Sequence, residues 1–322
     1  MDRRHYLRIG LSLACCSAIA GCLDEVDATV GSDDESDVDV ADRTGERALA
    51  RAVGRLNDAA LALETDDLES EGAAFDPEEP RELLAAAREF LETAATELED
   101  DRRPDVDELR AYADVLEALV DVTETVTDET HEEDVDAVSD AIADRRLEDA
   151  SETVDELAET FDRADDRFDT AVSDLESLDA DRLAALSIVD LAEIESGASA
   201  LGDVLASTIA LVTALESTVG GYECLKRGEA HDENEEYERA EESFRDAEAA
   251  FAAATTSLED GREDAPTGLE SHFETGLCQN ASLASAADHF VAAAEAATNR
   301  DPHTARRRRD DAETALESVE DC

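Results

Sequence analysis

The 322-residue chain carries 87 Asp and Glu against 27 Lys and Arg, a formal net charge of −60, with one lysine, Lys226, and no tryptophan. Such a balance excludes nucleic acid as a partner, because phosphates repel an acidic surface, and in dilute solvent it opposes compaction through self-repulsion. Molar salt shortens the Debye length to about 3 Å and removes most of that repulsion, so the acidity reads first as an adaptation to concentrated salt. As a sign of a basic partner or a metal store it is weak. High charge with few aromatic residues is also a signature of disorder, but the regular spacing of apolar residues argues against disorder for most of the chain.

The first stretch in chain order is Met1 to Cys22. A charged start at Asp2, Arg3, Arg4 and Arg8 precedes a short apolar run, Ile9 to Ala20, and then Gly21 and Cys22. The run is shorter than the roughly 18 to 20 residues of a spanning helix and has the layout of a secretory signal. Asp2-Arg3-Arg4-His5-Tyr6-Leu7-Arg8 resembles the twin-arginine export motif, which implies export of a folded protein. Ile19-Ala20-Gly21-Cys22 resembles a lipobox, which implies cleavage before Cys22 and a lipid on its thiol. Such a lipid would hold the chain on the outer face of the cell membrane rather than across it. Ala18-Ile19-Ala20 also fits the cleavage site of ordinary secretion; the sulfur of Cys22 favours the anchor. Cys15 and Cys16 leave with the signal in either case. The acidity, the single lysine and the alanine-rich apolar content resemble proteins of salt-accumulating halophilic archaea.

The expected organisation is a signal over 1–21, a lipidated cysteine and acidic tether over 22–44, a helical bundle over 45–219 and a smaller helical subdomain over 220–322. Leu23 to Val40 holds eight acids and no base, the composition of a solvated tether. Leu49, Ala52, Leu56, Ala59 and Leu63 then share one helical face, predicting a helix from about Glu46 to Glu64. After a loop with Gly72, Pro77 and Pro80, the same rhythm returns at Leu84, Ala87, Leu91, Ala94 and Leu98. Pro104 and Asp105 start a third helix through Leu109, Ala113, Leu116 and Val120, antiparallel to the second.

The longest regular pattern lies between Asp140 and Leu178, where ten apolar residues from Leu147 alternate three and four apart, as in coiled-coil packing. A return helix of matching length is expected over Leu191–Val219. Its low charge raises the possibility of a membrane span, but Val204 to Leu215 is too short for one, and a central bundle helix is the better reading. Gly220 and Gly221 are expected to close it. A further helix follows through Tyr237, Phe244, Phe251 and Leu258, then an irregular segment from Asp260 to Asn280, a helix from Leu283, and a last one introduced by Pro302. Overall the pattern predicts an all-α protein, an antiparallel bundle of coiled-coil-like hairpins.

Gly228, Ala230, Tyr237, Ala240, Phe244 and Ala247 resemble the small and aromatic positions of one tetratricopeptide repeat, which implies a helical hairpin that grips peptides or proteins. His231 departs from that pattern, and a shift of 34 residues shows no second copy. Outside a cell, two of Cys224, Cys278 and Cys322 are open to a disulfide; Cys224 with Cys278 is the favoured pair, leaving Cys322 over. No CxxC or HxxxH spacing supports a metal site among these cysteines and His231, His272, His289 and His303. Asn280-Ala281-Ser282 is an N-glycosylation sequon. Arg306 to Arg309 reads as the only basic cluster, and pairing with neighbouring acidic helices is its expected use. No Walker loop, GxSxG, HExxH or SxxK motif is present.

These readings lead to one expectation: a lipid-anchored, extracytoplasmic, non-catalytic scaffold or adaptor that contacts a cell-envelope protein, with the Asp260 to Asn280 segment as its contact and no cofactor. The alternative is a small-ligand or metal-binding lipoprotein associated with a transporter.

Overall fold

Apolar residues repeating three and four apart give each segment one oily stripe, and in the computed structural model those stripes are buried against one another. The structure describes residues 40–63, 75–188, 191–263 and 265–322, all within one compact unit, Asp39–Cys322. The expected signal, residues 22–39 of the expected tether and Gly72 lie outside the described residues, and with them Arg3, Arg4 and Cys22, whereas residues 40–44, expected as tether, are helical. The described residues form ten helices and no strand: α1 (Val40–Leu63), α2 (Glu78–Glu97), α3 (Arg103–Val126), α4 (Thr130–Ala143), α5 (Leu147–Ser177), α6 (Ala180–Ala185), α7 (Leu191–Glu233), α8 (Tyr237–Arg262), α9 (Glu270–Thr298) and α10 (Pro302–Glu317).

The largest apolar cluster joins α1, α2 and α3 to α5, α6 and the first half of α7, through Leu56, Leu91, Leu116, Phe161, Leu201 and Leu205 among others. Arginines stitch its outer seams. Arg81 pairs with Asp121 at 2.7 Å and Arg88 with Glu117 at 2.8 Å between α2 and α3, and Arg167 brings α5 to Asp121 at 2.8 Å. Tyr112 is fully buried in this cluster, and among the described residues its hydroxyl has no hydrogen-bond partner. Burial pushes its phenol above the usual range. A buried unpaired hydroxyl costs about 1 to 3 kcal/mol, so Tyr112→Phe should raise the melting temperature by a few degrees; a drop would reveal a partner for that oxygen.

One turn is used repeatedly. At the ends of α4, α7 and α9 the chain enters the left-handed region at Arg145, Glu235 and Arg300, with φ near 60°. In each case the next amide donates five residues back, from Arg146 to Ala141, Glu236 to His231 and Asp301 to Ala296. This is the Schellman closure, and the following helix starts one residue later, which makes three αα-hairpins with the same turn. Ser187 closes α6 in the same way. A side chain in that region is disfavoured by about 1 to 2 kcal/mol, partly offset by the entropy that glycine loses on folding. Glu235→Gly should therefore stabilise by several tenths of a kcal/mol, read as a higher denaturant midpoint.

Several expected boundaries shift. The segment from Asp140 is not part of the long helix: α4 ends at Ala143, and the turn at Arg145 separates it from α5. Within the described residues, α4 and α6 are elements that the spacing does not mark. α7 does not stop at Gly220. It runs 43 residues to Glu233, so the boundary expected there falls inside a continuous helix. By length and composition it is the described helix able to cross a membrane. Its apolar residues nevertheless serve several clusters: Leu201 and Leu205 the first, Ala214 one with α8 and α9, Val219 one with α4 and α5, and Leu225 the C-terminal one.

The two glycines play opposite parts. A Cβ on Gly221 would lie 2.3 Å from Cε1 of the fully buried Phe251, so only glycine lets α8 approach this closely. A Cβ on Gly220 would meet nothing within 4 Å. Gly221→Ala should destabilise by about 1 to 3 kcal/mol through overpacking, whereas Gly220→Ala should stabilise by about 1 kcal/mol through helix propensity. Equal effects in denaturant titrations would contradict this close contact.

Candidate functional site

The long hairpins determine which cysteines meet. α10 returns along α9 and brings the last residue to Cys278, so the disulfide is Cys278–Cys322, with Cα atoms 5.8 Å apart. The expected pair, Cys224 with Cys278, is not formed. Cys224 is free and half-buried on α7; it packs beside the C-terminal cluster and accepts a hydrogen bond from Arg227 Nη2 at 2.9 Å.

The irregular segment expected from Asp260 to Asn280 is mostly helix. α8 continues to Arg262 and α9 begins at Glu270, with Gly261 packed against Ala210 and Gly276 against Leu258. Those glycines serve close helix contacts rather than a loop, and the non-helical stretch is confined to the residues between Arg262 and Glu270. Asn280 sits inside α9, only 3% exposed. Its amide donates to the Gly276 carbonyl at 3.0 Å and its Oδ1 accepts from Thr218 Oγ1 at 3.0 Å. The folded chain thus keeps the sequon asparagine in the core, where a glycan has no room.

Among the positions of the tetratricopeptide resemblance, Gly228 faces Phe244 across the α7–α8 hairpin and Ala240 and Ala247 are fully buried, whereas Ala230 is exposed. His231, the departure from that pattern, is bound through Nδ1 to Glu236 at 2.8 Å. Its hydrogen bond, ahead of that from Arg239, holds the Glu236 carboxyl below the usual range. The equivalent turns recur 90 and 65 residues away, at Arg145 and Arg300, rather than 34.

Charge is distributed unevenly. Glu148, Ser151, Glu152, Asp155, Glu156 and Glu159 of α5 and Glu223 of α7 line an open groove of about 500 Å³. Among the described residues, no group of three His, Cys, Asp or Glu is arranged to hold a metal ion. On α10, Arg309 makes a two-pronged pair with Asp232 at 2.8 and 3.0 Å, and Arg308 lies 3.7 Å from Asp311. Half of that quartet therefore serves internal pairing, while Arg306 and Arg307 are exposed.

The chain has a second basic cluster. On α1, Arg43, Arg47, Arg51 and Arg55 recur every four residues, and all four are exposed. Four residues turn a helix only about 40° past one full circle, so the arginines form a slowly winding strip. Their spacing is visible in the sequence, but a reading that follows apolar positions passes over it.

No protein-family model, curated protein or solved structure matches this chain.

Proposed function

We propose that the chain is a lipid-anchored, extracytoplasmic helical scaffold that holds another cell-envelope protein. The observation that best supports this is α7. Its 43 residues span about 65 Å at 1.5 Å each, and apolar clusters at both ends of the unit are built on this one spine. A long, uninterrupted support surrounded by short-turn hairpins suits spacing and presentation. The lipobox-like Cys22 supplies the anchor, and the twin-arginine-like start supplies export in a folded state.

Cross-linking of the tagged chain in intact cells of its native host, followed by purification in concentrated salt and mass spectrometry, tests the reading. A reproducible envelope protein attached to the helical unit supports it. Recovery of the chain alone with a small molecule or metal overturns it in favour of ligand binding. Lipidation is tested separately by the mass of the mature N-terminal peptide and its loss in Cys22→Ser.

A further inference from the structure

The strip on α1 has the opposite charge to the rest of the molecule. From Arg43 to Asn57 the chain holds four arginines against the single acid Glu46, which is engaged by Arg102 of the 3₁₀ turn before α3, at 2.7 Å. On α5, by contrast, acids outnumber bases: Glu148, Asp155, Asp162, Asp166 and Asp169 are all exposed, and the helix has two bases, Arg163 and Arg167.

Most arginines elsewhere are paired, but Arg43 and Arg47 have no ion-pair partner among the described residues. Arg51 lies over the Phe90 ring at 5.6 Å, and Arg55 reaches Asp58 at 3.2 Å. The positions between them are small and open: Ala50 and Gly54 are exposed, and a Cβ on Gly54 would meet nothing within 4 Å. Leu61, 65% exposed, follows Arg43 by 18 residues, or five helical turns, and so lies on the same side. The strip from Arg43 to Arg55 is about 18 Å long at 1.5 Å per residue.

We propose that this face of α1 lies on the anionic headgroups of the membrane that anchors the chain, with guanidinium groups on lipid phosphates and Leu61 as an apolar foot. Arginine suits the task. Its planar fork makes two-pronged hydrogen bonds to phosphate, contacts that remain when salt has screened longer-range attraction. Arg43 follows Cys22 by 21 residues, so α1 is the first described helix after the anchor. A covalent tether of that length gives an effective concentration near millimolar, at which individually weak contacts are occupied. An acidic protein would satisfy the same charges, but the position beside the anchor favours the lipid surface. The proposal rests on the anchored reading for that local concentration and for the choice of a lipid surface over an acidic protein.

The test replaces the natural anchor. The chain from residue 22, with Cys22→Ser and Cys224→Ser and an N-terminal histidine tag, is held on vesicles by nickel-chelating lipid in about 1 M KCl, where the Debye length is about 3 Å. A fluorophore is attached at Gly54→Cys, or at Asp162→Cys on α5 as control, and quenched with neutral acrylamide. On phosphatidylglycerol vesicles quenching at position 54 should fall several-fold relative to phosphatidylcholine, with no change at position 162. Replacing Arg43, Arg47, Arg51 and Arg55 by Gln, with helix content checked by circular dichroism, should abolish the difference. Equal quenching of the unsubstituted strip on both lipids overturns the proposal and points to an acidic protein instead. Because the tag supplies the anchor, either result is independent of whether Cys22 is lipidated.

Discussion

Moved from multimolar KCl into dilute buffer, the mature chain should lose most of its helix and its compactness, and regain both when salt is restored. Neighbouring exposed carboxylates about 6 Å apart repel by about 0.7 kcal/mol in water. At low salt the Debye length reaches about 30 Å, so repulsion extends across the whole surface of a chain with 87 acids. Tens of such pairs exceed the roughly 5 to 15 kcal/mol that stabilise an ordinary fold.

Asp165 carries a local sign of this strain. Desolvation first, and then the charges of Asp169, Asp166 and Asp162, hold its carboxyl above the usual aspartate range. A raised folded pKa means that the contribution of this group is present at low pH and lost as pH rises through that pKa. Glu117 behaves oppositely. The hydrogen bond from Arg88 lowers its carboxyl, so its contribution is present at neutral pH and lost as pH falls through the folded value. Mild acid should therefore relieve the α5 surface before it breaks the α2–α3 seam. Far-ultraviolet circular dichroism and small-angle scattering across a salt series give the main result. An unchanged spectrum in dilute buffer would remove the salt-adaptation account of the acidity.

Loss of the Cys278–Cys322 bond should produce the next largest effect. The bond closes a loop with a sequence separation of 44, and in the chain-entropy view a crosslink of that span stabilises by about 4 kcal/mol. For a chain of this size, that corresponds to a fall in melting temperature of roughly 10 °C. Cys322→Ser and mild reduction should give the same shift, and Cys224→Ser almost none. Mapping the disulfide-linked peptide decides the pairing directly, and a 224–278 peptide would contradict this structure. The bond fastens the end of the chain to α9, so hydrogen exchange in α10 should accelerate before that in α8.

Apolar spacing made the helical class legible, because leucine, alanine and phenylalanine at three- and four-residue intervals leave no alternation for a strand. It also placed Leu191 at the start of α7, and the proline at Pro302 marked the start of α10. Glycine misled where it filled a tertiary role. Gly221 looks like a stop, but it is the small residue that admits Phe251, and that requirement exists only once α8 has folded back. Gly261 and Gly276 gave the false impression of a long loop for the same reason. Conversely, the real turns at Arg145, Glu235 and Arg300 carry no glycine at the left-handed residue, so the commonest signal for a helix end was missing. The cysteine partner depended on where α10 returned, which no local spacing encodes.

An unbroken α7 also has a mechanical consequence. Two halves joined by a loop swivel independently, and each absorbs a pull on its own. Here apolar clusters along the unit are built on one continuous helix, so a load on one cluster reaches the other as a tilt of the whole body. A partner bound at either end would then move with the body as on the end of a lever.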